Sequence, residues 1–243
     1  MPRTSPPRLW STVTLAGQRF QLLNLDHPQT AARILSDLEA GIAVYYDRRW
    51  DVTTRFCHFL LAHPVWVAGR AVLVLGAGLG LETLVIGRLC TTLYLNDRAP
   101  GALDLCAQQL RRNGITEFTC LHGPYETLTL PPVDLLVGCY LVYNRDTAAA
   151  MRQLLARHTP PVLLSNDNLL SWQSLLRETR RPHRLLLPPD DLPCLLFEVE
   201  APEPEMAHGQ APRRRLGRGG LIPSLWGATG GAPGDSHRPE QHD

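Results

Sequence analysis

The sequence predicts an α/β fold: a doubly wound, mostly parallel sheet of seven strands, closed by an antiparallel hairpin at its C-terminal edge. Three observations carry this. Short apolar runs such as AVLVL (71–75) and PVLLS (161–165) lack polar alternation, the pattern of strands buried on both faces. Segments of helical period separate these runs, which places helices on both sides of the sheet. The last two runs are joined by only six residues, PPDDLP, too few for a helical crossover, so they pair antiparallel.

The elements follow in order. Val13–Leu15 and Arg19–Leu25 flank an Ala-Gly-Gln turn and predict a β-hairpin. Gln29–Ala40 carries Ala32, Leu35 and Leu38 at helical spacing, with Gly41 to stop it. Asp51–Ala62 is a second helix, with Phe56, Phe59 and Leu60 on one face and Pro64 beyond its end. Strands over 71–75, 92–96, 117–121, 133–138 and 161–165 then alternate with helices to Cys90, over 100–112, over 146–157 and to about Arg180. His183–Leu187 and Cys194–Glu200 are the closing pair. The expected organisation is an N-terminal hairpin-and-helix extension over 1–45, a Rossmann-like domain over 46–200 and a tail over 201–243.

Composition narrows function. None of the 243 residues is lysine: all 24 basic side chains are arginine, set against 23 acidic ones, for a net charge of +1. GC-rich coding explains this, together with 43 leucines against five isoleucines, since nothing physical keeps lysine off a surface. A near-neutral chain has no global field toward nucleic acid or anionic membrane, so neither is an expected partner. No run reaches the roughly 18 apolar residues of a membrane span, and the N-terminus lacks the apolar core of a secretory signal. The cysteines at 57, 90, 106, 120, 139 and 194 form no CxxC pair and no metal-ligand spacing. They read as small buried hydrophobes in a reducing cytoplasm, with no metal. After Glu200, 14 of 43 residues are Gly or Pro and Arg213, Arg214, Arg215 and Arg218 cluster, the composition of a disordered tail.

Gly76-Ala77-Gly78-Leu79-Gly80 follows a strand directly and precedes a helix directly. Glycine lets the backbone turn tightly and approach a ligand, and the helix N-terminus offers unpaired N–H groups. Asp97 ends the next strand, after Asn96, where a carboxylate accepts both hydroxyls of an adenosine ribose. Dinucleotide sites favour GxGxxG, with room for a pyrophosphate; here Leu81 stands at the third glycine. The tighter GxGxG favours S-adenosylmethionine, which has no phosphate, over NAD. The expected cofactor-binding residues are Gly76, Ala77, Gly78, Gly80, Asn96, Asp97 and Trp50.

On these motifs the chain resembles the seven-β-strand (class I) S-adenosylmethionine-dependent methyltransferases, in particular their protein-lysine methyltransferase-like branch. Trp50 through Leu60, Leu61 and Pro64 resembles the helix before that branch's first strand. VLVLGAGLGL (72–81) resembles its first cofactor motif, LNDRAPGALDLCAQQLRRNG (95–114) its second strand and helix, and VDLLVGCYLVYN (133–144) its fourth strand. The Trp-to-Pro segment and Asn96-Asp97 are also similar to those of the lysine methyltransferases acting on the electron-transfer flavoprotein β-subunit. The resemblance implies N-methylation of a lysine on a protein partner, with S-adenosylmethionine as cofactor. Three positions depart from the pattern. Val74 stands where the family carries an acid that helps to hold the methionine amino group, and Tyr140 where it carries the Asp of Asp-x-x-Tyr. Leu121-His122-Gly123 stands where an acidic or tryptophan-containing motif often lies near the adenine, which leaves His122 to contact the base or to stand exposed.

Methyl transfer to nitrogen is an in-line displacement in which the protein chiefly positions the partners. Aromatic faces attract a lysine ammonium, and Trp50, Tyr140 and Tyr143 are the expected catalytic wall, with plain packing as the alternative. Asp167 and Asp146 stand near strand ends, as replacement carboxylates or as helix caps. The departures keep two other readings open: methylation of a small molecule or nucleic acid, and a non-catalytic methyltransferase-like binding module.

Overall fold

The computed structural model describes residues 7–167, 169–186 and 194–198. The predicted strand ends at Leu187 and Glu200, and the tail over 201–243, lie outside them. The N-terminal hairpin forms from β1 (Trp10–Leu15) and β2 (Gln18–Leu23), with Trp10 opposite Leu23. Its two-residue turn holds Ala16 and Gly17 at φ 46° and 77°, the left-handed pair that a tight hairpin uses. Helix α1 (Pro28–Glu39) begins with His27 accepting the Gln29 N–H and with Pro28 in the first turn.

The body alternates strands and helices: α2 (Asp51–Ala62), β3 (Ala71–Leu75), α3 (Leu81–Leu89), β4 (Thr92–Asp97), α4 (Pro100–Arg112), β5 (Thr119–His122), β6 (Leu135–Cys139), α5 (Arg145–Arg157), β7 (Val162–Ser165), α6 (Leu169–Glu178), β8 (His183–Leu186) and β9 (Cys194–Phe197). The sheet order is β5-β4-β3-β6-β7-β9-β8. Strand β9 runs antiparallel to both β7 and β8. The closing hairpin is therefore present, but its antiparallel strand is inserted and the outermost strand, β8, runs with the others. Two-sided burial explains the unbroken apolar pattern of β3. Val72 and Val74 belong to a core cluster with Phe56 of α2, Val85 of α3 and Leu110 of α4. Leu73 and Leu75 belong to a second cluster with Met151 and Leu154 of α5 and Leu175 of α6.

Two strands begin two residues later than the apolar pattern suggested. The ladder of edge strand β5 with β4 starts at Thr119, opposite Tyr94, not at Glu117. Before β6, Asp134 brackets the start of β3: its N–H donates to the Ala71 carbonyl and its carboxylate accepts the Ala71 N–H, both at 2.8 Å. The expectation that the cysteines pack inside fails at Cys120, which is exposed because β5 is an uncovered edge. Among the described residues no helix is long and apolar enough to cross a membrane.

The described residues belong to one compact unit, and polar bonds tie the N-terminal elements to α4. Leu23 N–H donates to Gln109 Oε1 at 2.9 Å, and Gln21 N–H to Asn113 Oδ1 at 2.8 Å. The buried Asp37 carboxylate accepts from the Tyr46 hydroxyl at 2.7 Å, the Gly101 N–H at 2.9 Å and Arg33 at 2.8 Å. Burial raises a carboxyl's pKa, but these bonds outweigh it and hold Asp37 below its ordinary value. Its stabilisation is thus present above the unfolded pKa and lost as pH falls through the folded one. Asp37→Ala leaves three donors without an acceptor. It is expected to cost about 2 kcal/mol, read as a lower thermal midpoint, whereas Glu39→Ala, at an exposed position, leaves the midpoint unchanged.

Candidate functional site: a cavity at the carboxyl edge of the sheet

The carboxyl ends of β3, β4 and β6 open into one cavity of about 590 Å³, a size typical of small-molecule sites. It lies where the strand order reverses, with β4 on one side of β3 and β6 on the other. Gly76, Gly78 and Gly80 line it at φ 55°, 50° and 54°. The turn is fastened to the end of β4: the N–H of buried Ala77 donates to the Asn96 carbonyl at 2.8 Å.

Asp97 makes the second fastening. Its Oδ2 accepts the Gly78 N–H and its Oδ1 the Ala99 N–H, both at 2.9 Å. Burial raises its pKa, and the backbone donors of Ala99, Gly78 and Arg98 oppose the rise. Each oxygen keeps a further lone pair for a ligand hydroxyl. Asn96 acts differently from Asp97. Its amide nitrogen donates to the carbonyls of Leu121 and Gly123 at 2.9 and 2.8 Å, which clamps the loop after β5.

The far wall is aromatic. The rings of Trp50 and Tyr140 lie 5.0 Å apart, Tyr140 and Tyr143 6.2 Å, and Tyr45 and Tyr143 5.7 Å. Trp50 Nε1 donates to the Tyr45 carbonyl at 3.2 Å, and the Arg48 guanidinium lies 5.1 Å from the Trp50 ring. Tyr140 holds φ 56°, a left-handed conformation that costs a tyrosine about 1 kcal/mol. Its N–H donates to the Ser165 carbonyl at 2.9 Å, which locks the turn after β6. Such strain is characteristic of functional sites.

The cavity therefore gathers Trp50, Tyr140, Tyr143, Asn96, Asp97, Asp146 and the three turn glycines, with Arg48, Arg49 and Arg98 on its rim. His122 is outside its lining and exposed, with Nε2 3.1 Å from the Arg98 carbonyl. Asp167 is likewise outside and exposed; its charge adds to burial in raising the Tyr140 pKa. Val74 is fully buried in the apolar core, so no acid reaches the cavity from position 74. Several lining residues were not singled out by the sequence, Tyr45 and Glu82 among them. Tyr45 sits in an irregular segment with no period to mark it. Glu82 is 5% exposed, in the first turn of α3. Its only mark in the sequence is an acid in the mostly apolar run from Val65 to Cys90, which Arg70 and Arg88 also interrupt.

The sheet order, the glycine turn and the acid ending β4 define the class I S-adenosylmethionine-dependent methyltransferase fold. Solved structures agree. The 16S rRNA N2 G1207 methyltransferase of T. thermophilus matches with TM-score 0.57 at 20% identity, over 79% of this chain and 51% of that one. A putative S-adenosylmethionine-dependent methyltransferase from Streptococcus mutans matches with TM-score 0.55 at 12% identity, over 82% and 57%. In sequence the chain is 32% identical over 140 residues to the protein N-lysine methyltransferase METTL21A of Danio rerio, covering 54% of this chain and 61% of that protein. It is 29% identical over 104 residues to the histone-arginine methyltransferase METTL23 of Rattus norvegicus, covering 40% and 46%. The chain thus spans about half the length of these relatives. No protein-family model matches it. It resembles the class I methyltransferases, in their branch of protein-lysine methyltransferases.

Proposed function

We propose that the chain is an S-adenosylmethionine-dependent methyltransferase that methylates a lysine side chain of another protein. The observation that carries this is the wall of Trp50, Tyr140, Tyr143 and Tyr45, set beside the glycine turn and Asp97 in one cavity. The residues fit the cofactor. A Cβ placed on Gly78 would meet nothing nearer than 3.7 Å, so the turn leaves room against the backbone, and Asp97 has lone pairs to spare for ribose hydroxyls. When bound, the cofactor supplies an activated methyl carbon and needs no metal.

The chain's own groups do the rest. The aromatic faces attract the acceptor ammonium and fix its approach. A lysine has a pKa of about 10.4 in water, so the ammonium that the rings gather must lose its proton before the amine attacks. On this reading residues 46–200 are the catalytic domain and 1–45 its N-terminal extension. The free cysteines fit a reducing cytoplasm.

The test is transfer of radiolabelled methyl from S-adenosylmethionine to lysate proteins, followed by hydrolysis and separation of methylated amino acids. Label in methyl-lysine is the expected result. Label in methylarginine supports a second reading, favoured by the similarity to METTL23. No protein label overturns both. Tyr143→Ala should raise the acceptor KM about tenfold, the size of a partly buried cation–π contact. S-Adenosylhomocysteine affinity should stay as in the parent protein.

A further inference from the structure

We propose that Glu82 is the cation anchor of this cavity and that its carboxylate receives the α-ammonium at the methionine end of the cofactor. The inference rests on the cofactor reading above and adds a residue that the resemblance does not supply. Glu82 lines the cavity and is 5% exposed. Helix α3 opens Leu81-Glu82-Thr83-Leu84-Val85-Ile86 with every residue buried, so the carboxyl has no route to bulk water except through the cavity. The titratable groups that feel its charge most are thiols: Cys57 of α2, Cys106 of α4 and Cys139 at the end of β6, each raised in pKa first by its own burial and then by the Glu82 charge. Among the described residues no arginine or histidine forms an ion pair with it.

A carboxylate with no cation in a dry site either holds its proton or meets a charge brought by a ligand. Burial pushes the Glu82 pKa up to about 7, against the opposing pull of its own backbone N–H. The cofactor carries the missing charge in its α-ammonium. The geometry agrees. Asp97 stands on β4, to one side of β3, and Cys139 on β6, to the other. A ribose at Asp97 therefore leaves the amino-acid end to reach across the turn toward Glu82 and Cys139. Helix α3 thus contributes the charge that strand β3 cannot, because Val74 is sealed in the core.

Binding then has a proton cost. Below about pH 7 the carboxyl must release its proton to bulk buffer as the ammonium arrives, so affinity rises with pH and levels off above that point. The experiment is calorimetric titration of the full chain between about pH 6 and pH 8, in two buffers of different ionisation enthalpy. The ligands are S-adenosylhomocysteine and 5′-methylthioadenosine, which keeps the nucleoside and lacks the amino acid. The expected result is a homocysteine-ligand affinity that climbs up to about tenfold per pH unit at the acid end, with proton release, beside a flat profile for methylthioadenosine. Glu82→Gln should flatten the first profile and weaken it at least about tenfold at the alkaline end, while methylthioadenosine still binds. A wild-type profile that is flat for both ligands overturns the proposal without any variant. So does a Glu82→Gln protein that loses both ligands equally, or neither. A wild-type chain that binds neither ligand overturns the cofactor reading itself.

Discussion

Asp97→Ala is expected to abolish S-adenosylhomocysteine binding and to lower the melting temperature in the same protein. The carboxylate fastens the glycine turn through Gly78 and the start of α4 through Ala99, each at 2.9 Å. Hydrogen bonds to a charged acceptor contribute about 1.5–3 kcal/mol each, and both donors would be left without it. Burial of the charge offsets part of this, so the net cost should be about 2–4 kcal/mol, or roughly 5–15 °C for a unit of this size. For the ligand, loss of both ribose contacts predicts at least a 100-fold weaker Kd. Asp97→Asn separates the two effects. Its oxygen still accepts one N–H while its NH₂ faces the other donor, so it should retain part of the stability and little of the affinity. Calorimetry of the melt and of the titration reads both. Unchanged affinity in Asp97→Ala would mean that the ribose sits elsewhere; an unchanged melt would mean that the turn is held by Ala77 and Asn96 alone.

The fold was legible because its signals are local and repeated. The run AVLVL needs only two covered faces to be explained, and the core clusters on either side of β3 provide them. The six-residue joint fixed an antiparallel closing pair, yet it carries no information on which of the two strands docks against β7. That choice is made by the ladder from Ser165–Cys194 to Val162–Phe197. At the site, the glycine turn and Asp97 were legible because they adjoin strand ends. Asn96, its neighbour, shared that address, but its side chain points along the sheet to the Leu121 and Gly123 carbonyls. Glu82 was not legible as a site residue for a physical reason. An acid in the first turn of a helix is ordinarily explained by the helix dipole and by solvent, and only the packing of α2, α4 and β6 around that turn removes the solvent.

The absence of lysine has a consequence inside the cavity as well as in the composition. Among the described residues its permanent cations are Arg48, Arg49 and Arg98, and two of them are held in place. Arg49 donates to the Leu23 carbonyl at 2.8 Å, and Arg48 lies over the Trp50 ring. Neither is a free amine that competes for the methyl group, and no lysine of this chain contributes background label. Methyl-lysine recovered from an assay therefore comes from another protein.

Gly80→Ala and Gly78→Ala are expected to fail in opposite ways, although both glycines hold nearly the same φ, 54° and 50°. That shared left-handed geometry costs an alanine about 1 kcal/mol at either site. The surroundings differ. A Cβ on Gly80 would stand 2.5 Å from Thr83 Oγ1, 2.8 Å from Thr83 Cβ and 2.9 Å from Cys106 Sγ. Thr83 and Cys106 are both buried, on α3 and α4, so neither can swing clear, and the helices must part. Overpacking of this kind costs about 1–3 kcal/mol beyond the backbone strain, so Gly80→Ala should lose about 2–4 kcal/mol and melt roughly 5–15 °C lower. A Cβ on Gly78 meets only Tyr46 Cβ, at 3.7 Å, and otherwise points into open space. Gly78→Ala should therefore melt within a few degrees of the parent and lose cofactor affinity, because the new methyl occupies the space where a ligand would lie against the backbone. Equal melts for the two variants would show that the contact with Cys106 relaxes freely. Full affinity in Gly78→Ala would show that the ligand does not approach the turn.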